Sequence, residues 1–249
     1  MFAWRLIVNA VQIRSFCVLA DGQRRGRWVG LTSGSIERIV LSMVEVPIRD
    51  RRSERRKATR AEILGAAWDL VREQGLGGLN LRDLAPRVGM RAPSLYEYFA
   101  SKHAIYDAMF AQGYRQFAAA MAEVDALSGE DGLRAVARQS MAFMVEEPAR
   151  YQLLFHRTIP GFTPSPGSYA ESVQVLEAAR AWFDRNGFGA AGALELFTSL
   201  IGGLAGQQIA NDPGGGHWTG LVDAAVDMFL AYIKTPDGHT SRTRERTRP

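Results

Sequence analysis

The 249-residue chain is 47% hydrophobic and 22% charged, enough apolar material for one large domain or a small unit joined to a larger one. Its formal net charge of +4 hides an asymmetry: Lys and Arg dominate residues 1–60 and 234–249, whereas acidic residues prevail over 111–233. The single cysteine, Cys17, excludes an intramolecular disulfide framework and a multi-cysteine metal cluster, and the four histidines lack HExxH spacing, so a reducing cytoplasm fits.

The opening stretch MFAWRLIVNAVQIRSFCVLA is apolar but interrupted by Asn9, Gln12 and Arg14. It matches neither a signal peptide nor a membrane span of about 20 residues. Met43 stands just ahead of the basic run and is the expected start. Residues 1–57 are read as a poorly ordered extension carrying a basic arm, DRRSERRKATR, which is either a polyanion-binding segment or a solubilising one.

From Arg60 the pattern becomes helical. Ile63, Leu64, Ala67, Leu70 and Val71 predict an amphipathic helix stopped at Gly75. Asn80, with Asp83 three residues on, predicts the capped start of a second helix, with Leu84, Ala85 and Val88 inward and Gly89 at its end. Pro93 suits the first turn of a third, short helix continued by Leu95, Tyr96 and Phe99. Ser101 predicts the N-cap of a long helix reaching Val124. Further helices are expected near 131–146, 148–156, 168–186, 190–210 and 218–234, with a loop RTIPGFTPSPGS and a break at NDPGGGH. No alternating strand pattern intervenes. The fold class is therefore all-α: a three-helix unit over 58–110, joined through a long helix to a larger helical bundle over 111–235, and a disordered basic tail over 236–249.

Residues 81–102 place helix, glycine turn and second helix at helix-turn-helix spacing, with Ala85 small enough for close approach. The polar residues left outside that small core are the informative ones. Arg82, Arg91, Ala92, Pro93 and Ser94 are candidates for reading base edges in the major groove of double-stranded DNA. Tyr96, Tyr98 and Lys102 are candidates for phosphate contact, which fixes register without reading sequence. Each has a plainer competitor: the tyrosines as core residues, Arg82 and Lys102 as solvated charges. Their joint placement around one short helix favours DNA.

The stretch AEILGAAWDLVREQGLGGLNLRDLAPRVGMRAPSLYEYFASKHAIYDAM resembles the N-terminal DNA-binding domain of TetR family transcriptional regulators. The resemblance runs through Ile63, Leu64, Ala66, Ala67, Gly75, Leu81, Arg82, Ala85, Gly89, Ser94, Leu95, Tyr96, Phe99 and Lys102, and covers residues 58–110. It implies a homodimer, each subunit placing one recognition helix in the major groove of a near-palindromic operator, and a C-terminal bundle that binds a small-molecule inducer. Three positions depart from the family pattern. Asn80 replaces the usual Thr or Ser, and can both cap the helix and touch phosphate. Pro86 removes a hydrogen bond inside the second helix, at about 3 kcal/mol, so that helix is expected to be kinked or shortened near its start. Arg91 replaces the serine that commonly opens the recognition helix, exchanging a cap for a longer contact.

In the bundle, the pocket candidates are Gln139, Phe143, Met144, Phe155, His156, Phe162, Trp182 and Phe197, with Tyr169 and Gln207 as further inward residues. Aromatic and methionine residues at helical spacing are core more often than ligand box. No cofactor, metal or membrane partner is implied. By the resemblance, the last two long helices form a four-helix dimer interface through Leu200, Leu204, Val222, Val226 and Phe229, with Gly202 and Gly206 permitting close contact. A repressor released by a small molecule is expected; an activator or a chromosome-associated factor would carry the same motif. The competing class is an enzyme built in the bundle. Against it, the sequence has no nucleophile elbow, metal-ligand pair or phosphate loop, and the adjacent Glu146 and Glu147 diverge on a helix.

Overall fold

A computed structural model describes residues 48–235. The expected start at Met43, the extension before it and the tail from residue 236 lie outside the described residues. The chain divides into two units, residues 1–52 and 53–249; of the first, the described residues are 48–52, which are helical.

The described residues form nine α-helices: α1 (Ile48–Gly78), α2 (Leu81–Arg87), α3 (Ala92–Leu95), α4 (Lys102–Ala122), α5 (Gly129–Glu146), α6 (Pro148–Phe155), α7 (Pro166–Arg185), α8 (Ala193–Asn211) and α9 (Val222–Lys234), the last preceded by a 3₁₀ turn at Thr219–Leu221. No strand occurs among them, and none is long and apolar enough to cross a membrane. The all-α class follows from the sequence periodicity. The basic run expected as an arm ahead of the first helix is itself helical: α1 starts at Ile48. Arg, Glu, Lys and Ala are good helix formers, and Lys57 pairs with Glu54 at 2.8 Å one turn away. Gly75, at φ 72 and ψ 169, interrupts the helix where the stop was expected, and helical backbone resumes to Gly78.

Asn80 caps α2 as its spacing predicts. Its Oδ1 accepts from the Asp83 N–H at 2.9 Å while its Nδ2 donates to the Asp83 carboxylate at 2.8 Å. Pro86 acts at the opposite end from the one expected. It has no N–H for the Arg82 carbonyl, and α2 closes one residue later, with the Val88 and Met90 amides both turning back to the Ala85 carbonyl. Gly89 then takes φ 64, a left-handed conformation that side chains with a Cβ rarely adopt, and this makes the tight turn into α3. As expected of Arg91, its side chain makes no cap hydrogen bond. Only Ala92–Leu95 is α-helical; the turn continues to Phe99 through bonds from Tyr96, Glu97 and Tyr98 to the carbonyls three residues back.

Two cores result. The first gathers Ile63, Leu70, Leu84, Leu95, Phe99, Ile105 and Met109, and Ala149 and Leu153 of α6 join it. The second gathers residues of α5, α7, α8 and α9, among them Leu133, Trp182, Phe197, Val226 and Phe229. A small cluster of Phe110, Phe143 and Leu154 lies on α4, α5 and α6. There Gly113 permits the close α4–α6 approach, because a Cβ on it would sit 2.9 Å from Leu154 Cδ2.

Candidate nucleic-acid interface and bundle cavity

The α2–turn–α3 segment presents Arg82, Arg91, Pro93 and Tyr96 to solvent, with Tyr96 56% exposed; Ala92 and Ser94 are half-buried. Neither Arg82 nor Arg91 has a side-chain partner among the described residues. Arg87 differs: it holds Glu73 in a two-point pair at 2.8 and 2.5 Å, which also keeps the Glu73 carboxyl below its ordinary range. The motif therefore carries one unmatched guanidinium on α2 and one at the cap of α3, the groups that phosphates and guanine edges recognise.

The remaining candidates have local occupations. Both amide atoms of Asn80 are engaged, by Asp83 and by the Gly78 carbonyl at 3.1 Å. The Tyr98 ring packs on the first core, with Arg56 over it at 5.4 Å. Lys102 is half-buried, donates to the Gly77 carbonyl at 3.1 Å and lies 5.5 Å from the Tyr106 ring, so its ammonium satisfies the carbonyl end of α1.

Two arginines of the basic run, expected as an arm for a polyanion or for solubility, instead bond within the chain to the end of the α3 turn. Arg56 donates to the Glu97 carbonyl at 2.6 Å, and Arg60 donates to the Tyr98 carbonyl while its guanidinium lies 4.1 Å from the Phe99 ring. Burial, and then the neighbouring Arg56, lower the pKa of Arg60. Cations at these carbonyls complement the dipole at the end of the recognition turn. The Tyr106 hydroxyl donates to the Leu76 carbonyl, and burial pushes its pKa up to about 12. Separations of 38 and 41 residues between the arginines and their acceptors leave no local periodicity to read.

The bundle holds a half-open cavity of about 1750 Å³ walled by α4, α5, α6, the α6–α7 loop, α7 and α8. This exceeds the roughly 300–1,000 Å³ of common small-molecule sites. Of the predicted pocket residues, Met144, Phe155, His156, Phe162, Trp182 and Phe197 line it, as do Tyr169 and Gln207. Gln139 and Phe143 do not. Gln139 turns to Glu123 at 3.4 Å, and Phe143 lies under the Arg150 guanidinium at 3.7 Å. Sequence reasoning missed Tyr114, Phe117, Met121, Ser140 and Tyr151, although Phe110, Tyr114, Phe117 and Met121 recur at helical intervals along one edge of α4. The Tyr114 hydroxyl donates to Leu154 O at 3.1 Å and that of Tyr151 to Gly202 O at 2.8 Å; burial raises both pKa values, that of Tyr114 to about 12. The buried indole N–H of Trp182 has no acceptor.

The expected dimer residues need correction. Val222, Val226 and Phe229 are buried within the subunit, where Phe229 meets Phe197 with ring centroids 5.4 Å apart. Leu200 and Leu204 are half-buried against the same core. Gly202 and Gly206 lie at Tyr151 of α6 rather than at α9. The physical reason is that α9 is apolar on two sides. Ion pairs of Arg134 with Asp227 at 2.5 Å and of Arg138 with Asp223 at 2.7 Å hold one side against α5. Met228 on the other side is 69% exposed, and Leu221 of the preceding 3₁₀ turn and Leu196 of α8 are exposed too.

These helices define an all-α helix-turn-helix protein with a cavity-bearing bundle. The family model for bacterial regulatory proteins of the tetR family matches residues 63–109. The HTH-type transcriptional regulator Rv1816 of Mycobacterium tuberculosis (strain H37Rv) is 28% identical over 120 residues, 47% of this chain and 51% of that protein. The chain thus spans about half the length of the curated relatives it matches first. The class A tetracycline repressor from transposon 1721 of Escherichia coli is 25% identical over 185 residues, 67% of this chain and 79% of that protein. The fold is shared with the regulatory protein SCO4313, at a TM-score of 0.59 and 22% identity over 72% of this chain and 98% of that one. Residues 63–109 thus match the DNA-binding segment of the tetR family, and the longer alignments make the rest of the chain similar to regulators of that kind.

Proposed function

We propose that the protein is a sequence-specific DNA-binding transcriptional regulator, a homodimeric repressor that leaves its operator when a small molecule occupies the bundle cavity. The observation that carries this reading is the double membership of α4. Its first turns bury Ile105, Tyr106 and Met109 in the core beneath the helix-turn-helix, and its later turns supply Phe110, Tyr114, Phe117 and Met121 to the cavity wall. A ligand that favours one placement of α4 therefore shifts the placement of α3, and operator affinity changes by linkage. The exposed apolar residues Leu196, Leu221 and Met228 give α8 and α9 a surface for a second subunit, and two-fold symmetry sets half-site spacing. Repression as the direction is supported by the likeness to a protein named as a repressor. The place of action is the cytoplasm, with the chromosome.

Genome-wide footprinting with the full chain tests the proposal. It should yield a short near-palindromic site upstream of a gene, and the purified protein should bind that site with salt-dependent affinity. Recovery of no enriched double-stranded site would reject it.

A further inference from the structure

The adjacent carboxylates Glu146 and Glu147 belong neither to the reading surface nor to the cavity wall, and they part to different partners. Glu146, the last residue of α5, meets Arg150 of α6 at 2.8 Å. Glu147, at φ −136 and ψ 87, is the non-helical residue at which the chain turns from α5 into α6. Its side chain does not cap α6. It accepts instead from Arg72 Nε of α1, at 2.5 Å.

This contact joins the head to the bundle at a point that α4 does not supply. Beside it, Trp68 Nε1 of α1 donates to Gln112 Oε1 of α4 at 2.9 Å, and Ala149 and Leu153 of α6 enter the core beneath the helix-turn-helix. Tyr151, Leu154 and Phe155 of the same helix line the cavity. Helix α6 therefore touches both cavity and head, and Glu147 is the charged end of that bridge. The two partners are unequally placed: the Glu147 side chain is 15% exposed and that of Arg72 50%. Parting them leaves a mostly buried carboxylate uncompensated, whereas Arg72 keeps Asp69 of its own helix. The pair thus favours one seating of α1 on the α5–α6 junction over others that separate the charges.

We propose that the Arg72–Glu147 pair is a clasp that fixes the angle of the helix-turn-helix head on the bundle, and with it the distance between the two recognition segments of a dimer. This rests on the dimeric DNA-binding reading above and adds to it the contact that sets half-site spacing. Arg72 and Glu147 are positioning residues, acting through the placement of α3 and not by touching a base.

The experiment is fluorescence anisotropy of the full chain on its footprinted site and on versions with one base pair inserted or removed between the half-sites, which shifts and rotates one half-site against the other. The natural chain should prefer the natural spacing. Glu147→Gln and Arg72→Gln should each reduce that preference by about fivefold or more, and the double variant should lose no more than either single one. Affinity for a duplex with one half-site should stay unchanged. A role in stability alone would lower the urea unfolding midpoint and leave the spacing preference where it was. Glu147→Gln keeps the size of the side chain and Arg72→Gln alters a half-exposed residue, so either variant decides if the other does not fold. A spacing preference that survives the substitutions, or effects that add in the double variant, overturns the clasp and leaves the DNA-binding reading intact. A natural chain that binds no duplex removes both.

Discussion

Arg87 and Arg91 carry the same guanidinium, yet only Arg87 has its charge matched, by Glu73. Arg91→Ala should therefore weaken operator binding by about 1–3 kcal/mol in a fluorescence-anisotropy titration. Arg87→Ala should leave that affinity unchanged and barely move the unfolding midpoint, since an exposed pair is screened by solvent. Tyr106 makes a different kind of prediction. Its hydroxyl satisfies the buried Leu76 carbonyl, so Tyr106→Phe should cost about 1 kcal/mol in urea unfolding. The pH dependence follows from the direction of the shift. A phenol whose folded pKa is raised to about 12, above an unfolded value near 10, holds its proton longer in the folded state. Its contribution is complete below about pH 10 and is lost as pH rises to about 12. Tyr106→Phe should flatten part of that alkaline decline, and a decline of unchanged steepness would count against the burial of this hydroxyl.

The short helices of the head test how far local rules reach. Asn80→Ala removes the acceptor for the Asp83 N–H and should destabilise the fold by about 1 kcal/mol. Gly89→Ala has open space for its Cβ but must adopt φ 64, and should cost about 1–2 kcal/mol by calorimetry. These elements were legible because their signals are local: a cap three residues from its amide, a glycine at the turn, a proline in a first turn. Pro86 was legible as a disturbance and misplaced in its effect, since it stands next to the last residue of a seven-residue helix and acts on that end. The placement of α9 was not legible. Val222, Val226 and Phe229 form as good a stripe as Leu221 and Met228, and the inward face is selected by packing partners on α5, α7 and α8, far away in sequence. Phe143 does not line the pocket because its ring lies under the guanidinium of Arg150, on the next helix.

On the scale of the whole molecule, one helix, α4, runs from the core beneath the exposed helix-turn-helix to the wall of an apolar cavity. The cavity was half legible. Aromatic residues at helical spacing announced an interior, but Tyr114 bounds the cavity while Phe143 packs with Phe110 and Leu154, a difference set between helices that no single helix encodes. The central claim is that the segment opening at Arg91 enters the major groove of double-stranded DNA. It is tested most directly by measuring the affinity of the full chain for its footprinted site and for a scrambled duplex across a range of salt, for the natural sequence and for Arg91→Ala with Ser94→Ala. The account predicts that the natural chain prefers its site, that affinity for both duplexes falls with salt, and that the double variant loses the preference while keeping most of its affinity for the scrambled duplex. A variant that discriminates as well as the natural chain, or a natural chain with no salt-sensitive affinity for either duplex, would contradict it.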